Sequence, residues 1–511
     1  MERRIILAAV ISAIFLSLYM PVFTKSVDRI PVKHATDPSQ TDASTPVAAP
    51  LADVDANAVL SPAPEEKTAI IESQQLAVSI GVTSGSIRRV VLKDFSVDGD
   101  TARVDFGGDI PLVQFHVGNE GIEWQLDNRG PGQILLSGRS RGSTHFQLAF
   151  DIDQKRPVVH VRLTGAAGQP FTAFQVWQME RGGDGDRFSR LEAIAVVADQ
   201  EDGKRSHKSF GVQKKIKNVP RGTLFLTLAE TYFCQSLKPS AGFAQSVILA
   251  SPSNLIATKS TIESSNELSL YFGPRDYFYM TNAGFDEAIP VGILGKIGLM
   301  MLSFLGWAAG ITGNYGVSII LFACLVTIIM APFSLMGFRS IRKLQELQPR
   351  QQAIMEKYKS DPQRAQREVF ALYKEHKVSP LGGCLPMLVQ FPVIIAFFRA
   401  IPHYIALRGA GFLWIKDLSL PDKLFSLPFT IPWFGGDFNI LPIIMGFGMY
   451  LQTKMSQGAS KVQSNAPGAK LMSGPLMPAM FLVMCYNLPS SLMLYWVVNS
   501  LLSIAIYRVA K

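Results

Sequence analysis

The sequence predicts a polytopic α-helical membrane protein that also carries an all-β, water-soluble domain. Of 511 residues, 48% are hydrophobic and only 17% are charged, which exceeds the apolar content of ordinary soluble chains. The apolar excess lies in residues 5–24 and after about residue 290, whereas residues 68–285 alternate polar and apolar side chains. Residues 297–338 contain no Asp, Glu, Lys, Arg or His, as expected for membrane-embedded chain.

The amino terminus predicts a membrane anchor. Arg3 and Arg4 precede the apolar residues 5–24, and about 20 helical residues span the roughly 30 Å hydrocarbon layer. We therefore expect residues 1–25 to be a retained N-terminal transmembrane anchor, with a cleaved signal peptide as the alternative. Residues 26–67 are rich in Pro, Ala, Thr, Ser and Asp, and this composition predicts a disordered periplasmic linker.

Residues 68–285 predict a periplasmic β-sandwich domain. Segments such as 112–117 and 158–163 alternate apolar and polar residues with period two, and Gly, Asn, Asp and Pro separate them. Many short strands without helical patterns favour a large antiparallel sandwich. Its surface either binds carbohydrate or peptide or serves only as a scaffold. Asp184 and Asp186 suggest calcium, but the segment lacks the other oxygen ligands and is interpreted as a solvated turn.

The chain after residue 285 predicts an interfacial helix and five membrane spans. Pro290, Lys296 and several glycines interrupt the apolar residues of 286–313, which favours an interfacial amphipathic helix. The uncharged stretch 471–507 is too long for one span, and Asn487-Leu-Pro489 supplies a turn within it. The further segments are transmembrane helix 2 at 314–338, a cytoplasmic helical hairpin at 339–380, transmembrane helix 3 at 381–404, a periplasmic loop at 405–437, transmembrane helix 4 at 438–454, a cytoplasmic loop at 455–474, and transmembrane helices 5 and 6 with a short cytoplasmic tail at 475–511.

The distribution of Lys and Arg predicts the orientation. Residues 337–380 carry ten Lys and Arg against five acidic residues, whereas residues 405–437 carry three of each. Because cytoplasmic connections are enriched in Lys and Arg, both termini and the basic segments are expected in the cytoplasm and the β-domain in the periplasm. Trp414 and Trp433 then fit the aromatic belt of the periplasmic interface.

The cytoplasmic segment reads as an antiparallel helical hairpin. Pro349 predicts a bend in its first helix, and Asp361 followed by Pro362 predicts the start of the second. Its basic surface is made by Arg339, Arg342, Lys343, Arg350, Lys357, Lys359, Arg364 and Arg367. Such a surface attracts ribosomal RNA, anionic lipid headgroups or acidic chains, while the positive-inside bias alone explains the charges equally well.

Several motifs in this order resemble the YidC-type membrane protein insertases of Gram-negative bacteria, within the Oxa/Alb insertase superfamily. The resemblance covers residues 314–400 most densely and extends to the carboxyl end; its match to the first 260 residues is architectural. The motifs are Leu270-Tyr-Phe-Gly-Pro274, Asn314-Tyr-Gly-Val-Ser-Ile-Ile, Leu347-Gln-Pro, Ala371-Leu-Tyr-Lys, Lys377-Val-Ser-Pro-Leu-Gly-Gly-Cys-Leu-Pro386, Leu413-Trp-Ile-Lys-Asp-Leu-Ser-Leu-Pro-Asp422, Gln452-Thr-Lys-Met-Ser456 and Pro489-Ser-Ser-Leu-Met-Leu-Tyr-Trp496.

This resemblance implies a non-enzymatic insertase and chaperone of the bacterial inner membrane, without cofactor or metal. In the family the later five spans enclose a polar groove, open to the cytoplasm and to lipid, that receives the hydrophilic segment of a nascent chain. The partners it implies are nascent membrane proteins, the ribosome, the Sec translocon, the signal recognition machinery and membrane lipids.

Polar side chains within the spans are the candidate groove residues: Ser318, Thr327, Ser334, Gln390, Asn487, Ser491, Tyr495, Trp496 and Asn499. Each Ser or Thr is alternatively a helix-packing hydroxyl, and Trp496 is alternatively an interfacial anchor. The family commonly carries an arginine where the motif alignment places Thr327. We therefore expect groove hydration, rather than a fixed positive charge, to support function, and Thr327→Arg to change activity little.

Other classes of protein fit less well. An ion-coupled transporter generally needs intramembrane carboxylates, and the five later spans contain none. The seven histidines are dispersed, and no His-Glu-x-x-His or phosphate-binding loop is present, which disfavours a membrane enzyme. The remaining alternative is a membrane-anchored periplasmic protein that binds or modifies carbohydrate.

Overall fold

A computed structural model describes most of the chain from residue 62 onward. The described residues are 62 and 64–509 except 97–102, 118–121, 140–144, 166–170, 178–190, 199–204, 212–216, 220–222, 241, 251–255, 263–266, 290–292, 377, 379–384, 432–433 and 458–475. The predicted anchor 1–25, nearly all of the predicted linker, Asp184, Asp186 and Trp433 therefore lie outside the described residues.

The amino-terminal part of the described chain is a β-sandwich of two nine-stranded sheets, as the alternation predicted. The first sheet has the order β1-β2-β3-β5-β10-β17-β16-β13 with β4 beside β3, and the second has the order β12-β11-β14-β15-β18-β9-β8-β7-β6. The strands are β1 Thr68–Glu72, β2 Leu76–Gly81, β3 Ile87–Ser96, β4 Arg103–Phe106, β5 Val113–Val117, β6 Glu123–Gly130, β7 Gln133–Arg139, β8 His145–Ile152, β9 Val158–Thr164, β10 Phe171–Val176, β11 Glu192–Ala198, β12 Arg205–Gly211, β13 Lys217–Val219, β14 Thr223–Ala229, β15 Phe233–Pro239, β16 Phe243–Ala250, β17 Ile256–Ile262 and β18 Glu267–Pro274.

Period-two alternation produces this sandwich because successive side chains point to opposite faces of a sheet. In β8, Phe146, Leu148 and Phe150 are buried while the residues between them face outward. Each such apolar side chain contributes about 1.5–3 kcal/mol by leaving water. Every strand pairing described in the two sheets is antiparallel, which fits one face packed in the core and one face in water.

The described part of the remaining chain is helical, with one β-hairpin, and the predicted combination of membrane helices and a β-sandwich is confirmed. The helices are α1 Tyr277–Asn282, α2 Ile293–Thr312, α3 Tyr315–Lys357, α4 Pro362–Glu375, α5 Leu385–Ala400, α6 Leu441–Gln457, α7 Leu476–Cys485 and α8 Ser490–Val509; the hairpin strands are β19 Lys423–Ile431 and β20 Gly435–Asn439. Among the described residues, three helical segments are long and apolar enough to cross a membrane: Leu294–Thr312, Tyr315–Pro332 and Ser490–Arg508.

Two helices give further detail on the predicted segments. α3 is one helix of 43 residues, about 65 Å long, that runs from the predicted span 314–338 into the basic segment. Residues 293–312 form a regular helix whose length and hydropathy suit a membrane span, although interfacial placement was predicted. α2 packs closely on α5 at Gly298, where an added Cβ would lie 3.0 Å from the Cβ of Ala400. The interfacial placement stays a prediction.

The basic segment forms the expected helical hairpin. Asp361 caps α4 by accepting a hydrogen bond from the backbone N–H of Arg364 at 3.0 Å, and Pro362 begins the helix. Leu347 of α3, Leu372 of α4 and Val378 form a small buried cluster between the two helices. The hairpin is therefore held by its own apolar contacts, and its basic side chains remain on the outside.

The segment after α5 joins the helical bundle to the β-sandwich. Ile405 is buried in the sandwich core, and the Nδ1–H of His403 donates to the carbonyl oxygen of Thr231 at 3.0 Å. The guanidinium of Arg408 lies over the rings of Tyr232 and Phe233, 5.1 and 5.4 Å from their centroids. These contacts fix the carboxyl end of α5 against the β14–β15 turn.

Replacing Arg408 by alanine should loosen this junction. We expect Arg408→Ala to lose about 1 kcal/mol of cation–π attraction, and hence to raise amide exchange in residues 401–420 about fivefold without changing exchange in β7 and β8. Hydrogen-exchange mass spectrometry of the full chain measures this. Arg399→Ala is the matched control, because that side chain is exposed at the end of α5. Equal protection in the two variants would contradict the assigned contact.

Candidate functional site: a polar face inside the helical bundle

Four polar residues lie on one face of α8. Ser491, Tyr495, Asn499 and Ser503 are spaced four residues apart, which places them on successive turns of the same side. Ser491 and Tyr495 are fully buried, whereas Asn499 and Ser503 are half-buried, so exposure rises toward the carboxyl end of α8. We call these four residues the polar face of α8. Ser503 was not among the predicted groove residues.

Two other helices bring polar side chains to this face. The Gln390 amide Nε2–H of α5 donates to the hydroxyl of Tyr495. Thr327 of α3 lies with its Oγ1 2.7 Å from the carbonyl oxygen of Ala323 and 3.1 Å from the side-chain amide of Asn499. The Asn499 atom that faces Thr327 is the amide oxygen Oδ1, which accepts, so the single hydroxyl proton of Thr327 is donated either to Ala323 or to Asn499. Three helices thus meet through two polar pairs.

Aromatic rings close the bundle on the sandwich side of these pairs. The Tyr495 ring centroid lies 4.9 Å from that of Phe397 in α5 and 6.0 Å from that of Phe322 in α3, and the two phenylalanine rings stack at 5.7 Å. All three side chains are buried. Tyr495 therefore belongs both to the aromatic cluster and to a polar pair, since its ring packs among apolar side chains and its hydroxyl accepts a hydrogen bond from Gln390.

The loop before the β-hairpin covers the amino-terminal end of α8. The hydroxyl of Ser490 lies 3.0 and 2.6 Å from the carbonyl oxygens of Asp417 and Leu420, and the backbone N–H of Ser491 donates to Leu418. Asp422 accepts from the first backbone N–H groups of α6, at 3.0 Å from Ile440 and 2.8 Å from Leu441. Burial raises the pKa of this carboxyl, while these N–H groups oppose the rise. The motif from Leu413 to Asp422 thus forms a hydrogen-bonded cover.

The other predicted groove residues occupy different positions. Ser318 is fully buried and donates to Asn314 in its own helix at 2.9 Å, which is the geometry of a helix-packing hydroxyl. Asn487 lies in the turn between α7 and α8, and Ser334 is half-buried on α3. The indole of Trp496 packs edge-to-face on Phe481 of α7, with centroids 4.9 Å apart. None of these four makes a described contact with Gln390 or Thr327.

One cation inside a predicted span was not among the predicted site residues. Arg399 lies in the last turn of α5 and inside the predicted span 381–404, but its side chain is exposed. Arg399 lies seven residues, about two helical turns, after Pro392 of the same helix, at the end of α5 that is nearer the sandwich. Scanning the predicted span for single Lys and Arg residues would have found it.

The predicted basic surface is borne by the helical hairpin of α3 and α4. Its side chains are exposed except that of Arg342, which is half-buried: Arg339, Lys343, Arg350, Lys357, Lys359, Arg364 and Arg367. Lys357 and Arg364 lie over the ring of Tyr358, at 5.4 and 5.0 Å from its centroid, and Arg350 contacts His376 at 3.1 Å. These contacts hold part of the positive charge at the tip of the hairpin.

Comparison with known proteins identifies the family. The profile of the family described as 60Kd inner membrane protein matches residues 307–511. A membrane protein insertase YidC of Citrifermentans bemidjiense is 30% identical over 399 residues, which cover 75% of this chain and 71% of that protein. The chain belongs to the YidC family of membrane protein insertases.

A second YidC relative, from Geobacter metallireducens, is 28% identical over 565 residues, covering 99% of this chain and 97% of that protein. Among solved structures, that of an active YidC insertase with its first transmembrane domain resolved is 18% identical, covers 87% of this chain and 93% of that structure, and has a TM-score of 0.38. YidC proteins are insertases rather than enzymes, and the family description places them in the inner membrane.

Membership of the YidC family favours the insertase interpretation over the carbohydrate-binding one. The sandwich does carry a groove of about 370 Å³ on the outer face of its second sheet, where His160 contacts Ser269 at 3.0 Å and Arg162 pairs with Glu267. Its lining contains no Phe, Tyr or Trp, whereas small-molecule sites are mostly apolar and aromatic.

The contact between Thr327 and Asn499 should couple α3 to α8 energetically. In a double-mutant cycle of Thr327→Val and Asn499→Leu, we expect a coupling free energy of about 0.6 kcal/mol, with about 1.7 kcal/mol as the upper end for such bonds in membranes. Unfolding of the full chain in mixed detergent micelles measures it. A cycle of Ser318→Ala with Asn499→Leu is the control and should give no coupling. Additive losses in both cycles would exclude the interhelical bond.

Proposed function

We propose that this protein inserts nascent membrane proteins into the bacterial inner membrane through a hydrated groove along the polar face of α8. Family membership supports insertion as the activity. One observation carries the proposed path: the polar pairs Gln390–Tyr495 and Thr327–Asn499 lie inside an apolar bundle, and exposure along the polar face of α8 rises from the aromatic cluster toward its carboxyl end. Such a gradient suits a groove that opens on one side of the membrane only.

The groove lowers the main barrier to insertion. A hydrophobic segment gains free energy in lipid, but each charge that it carries across the bilayer costs about 2.5–3.5 kcal/mol even by the smallest estimates. Water that enters beside Asn499 and Gln390 shortens the distance over which the substrate is dehydrated. The ring cluster of Phe322, Phe397 and Tyr495 limits this water on the other side and keeps the membrane sealed.

The apolar segment of the substrate leaves the groove sideways. α3 presents the exposed side chains of Leu325, Ile328, Ile329 and Met336, which suit lipid or an apolar substrate helix. A substrate helix moving along this surface exchanges one apolar environment for another. Partition into lipid supplies the driving force, so the step requires no nucleotide hydrolysis.

We infer the orientation from the basic hairpin. Arg339, Lys343, Arg350 and their neighbours lie at the end of the bundle opposite the sandwich, so the positive-inside rule places them in the cytoplasm and the sandwich in the periplasm. With both termini in the cytoplasm, residues 1–25 form the anchor and 26–67 the periplasmic linker.

The exposed cations of the helical hairpin suit contact with ribosomal RNA and anionic lipids. We further propose that the protein works alone or with the Sec translocon and receives clients from the signal recognition machinery.

Removing groove polarity should abolish insertion. We expect the triple variant Thr327→Leu, Gln390→Leu and Asn499→Leu to lose complementation of a strain depleted of its own insertase, because water no longer enters beside α8. The polarity-conserving triple Thr327→Ser, Gln390→Asn and Asn499→Gln controls for altered shape and should retain most activity. Thr327→Arg should also retain it, since hydration rather than a fixed charge is required. Full growth with the leucine triple, at equal membrane abundance, argues against the hydrated groove.

The substrate path can be mapped directly. A photoreactive amino acid at Gln390 should crosslink to the polar flank of a stalled, nascent single-span protein, and one at Met336 should crosslink to its apolar segment. Arg162 on the outer face of the sandwich is the control position and should give no product. Efficient crosslinks from Met336 with none from Gln390 would show that the polar segment of the substrate does not pass along the polar face of α8.

A further inference from the structure

The β-hairpin of β19 and β20 has an unusual surface. Residues 424–436, between Lys423 and Asp437, contain no charged side chain. Lys423 and Asp437 form an ion pair of 2.9 Å at the base of the hairpin, so its charges lie at one end only. The rings of Phe425 and Phe438 stack across the two strands at 4.9 Å.

The hairpin exposes large apolar side chains. Leu424 is 45% exposed, Phe425 50% and Phe429 60%. The strand pairing shifts register between Lys423 and Phe425, so Leu424 lies at an irregularity of β19. A two-stranded ribbon in water is at best marginally stable and normally packs one face on a core. Phe434 at the turn packs edge-to-face on the buried Tyr486, with ring centroids 4.7 Å apart, whereas Leu424, Phe425 and Phe429 remain largely exposed and would be stabilised by an apolar surrounding.

The hairpin continues the lipid-facing surface of the bundle. β20 ends at Asn439 and α6 begins at Leu441, and α6 carries Ile443, Phe447 and Tyr450 as an exposed apolar stripe on one side. The backbone N–H of Asn439 donates to the Tyr486 hydroxyl at 3.0 Å, and its side-chain amide donates to the Tyr486 carbonyl at 2.9 Å. These bonds fix the hairpin base between the amino-terminal end of α6 and the carboxyl-terminal end of α7.

The neighbouring cover loop extends the same patch. Leu413, Trp414 and Leu420 are exposed beside the hairpin, although the hydrogen bonds around Asp422 hold their backbone. Aromatic side chains with apolar bodies are enriched at bilayer interfaces. Pro428 within β19 lacks a backbone N–H and so leaves one fewer donor to satisfy at the strand edge. The residues of the hairpin and the cover loop therefore suit the headgroup boundary of a bilayer rather than its hydrocarbon centre, where open strand edges are not tolerated.

We propose that this hairpin inserts into the interfacial layer of the lipid bilayer, on the side of the membrane that carries the β-sandwich. The partner is phospholipid: Leu424, Phe425 and Phe429 lie among the upper acyl chains, and the Lys423–Asp437 pair lies at the aqueous boundary. The hairpin thus fixes the depth of α6 and of the loop that covers α8. This inference requires only membrane residence, which does not depend on the proposed groove.

Depth measurement by electron paramagnetic resonance tests the proposal. The full chain, with its four cysteines replaced by alanine, carries a nitroxide at Phe429→Cys and is reconstituted in bilayers of phosphatidylethanolamine and phosphatidylglycerol. Collision with oxygen reports lipid, and collision with a water-soluble nickel complex reports solvent. We expect the oxygen-to-nickel ratio at residue 429 to exceed that at Arg162→Cys on the sandwich several-fold and to approach that at Phe447→Cys on α6.

The other outcomes overturn the proposal. A ratio at residue 429 equal to that at Arg162→Cys places the hairpin in water. Low collision with both reagents means that protein covers the hairpin, either a second copy or another part of this chain. Leu424→Cys is measured in parallel, so that misfolding of one variant does not decide the result. Phe447→Cys must report lipid in the same preparation, which verifies correct reconstitution.

Discussion

The structure depends on the cost of placing polar groups inside a bilayer. In lipid, an amide or hydroxyl without a partner costs several kcal/mol, so Gln390 and Asn499 must be paired with protein or reached by water. Gln390 is paired with Tyr495, and Asn499 with Thr327. These pairs draw α3, α5 and α8 together around one internal face. An apolar bundle of the same length would avoid this cost, and in the function proposed here the polarity serves insertion.

A second constraint is closure on one side. The rings of Phe322, Phe397 and Tyr495, and the loop whose carbonyls bind Ser490, lie toward the sandwich. At the carboxyl end of α8, Tyr507 packs edge-to-face on Phe338 of α3 with ring centroids 5.0 Å apart, which is a single pair rather than the three-ring cluster at the other end. In the proposed function, this asymmetry makes the polar interior a groove that opens toward the basic hairpin. A pore through the whole bundle would dissipate ion gradients, whereas a groove closed at one end does not.

The sandwich and the bundle are joined by a short segment rather than by a flexible connection. Ile405 lies in the sandwich core, and Arg408 contacts two aromatic rings of the same domain. The same loop continues into the cover over α8 and then into the β-hairpin. The junction to the sandwich, the cover over α8 and the β-hairpin are therefore consecutive parts of the one segment between α5 and α6.

Local sequence determined the elements whose causes are local. Alternating side chains specified the strands of the sandwich, and Asp361 with Pro362 specified the start of α4, because both depend on neighbours along the chain. Hydropathy specified the membrane class, and motifs specified the family. Only the tertiary structure decided which polar residues meet. Ser318 and Thr327 look alike in sequence, and each hydroxyl lies near the carbonyl oxygen four residues earlier. Of the two, Thr327 also faces Asn499 of α8, since helix rotation and packing set the partner.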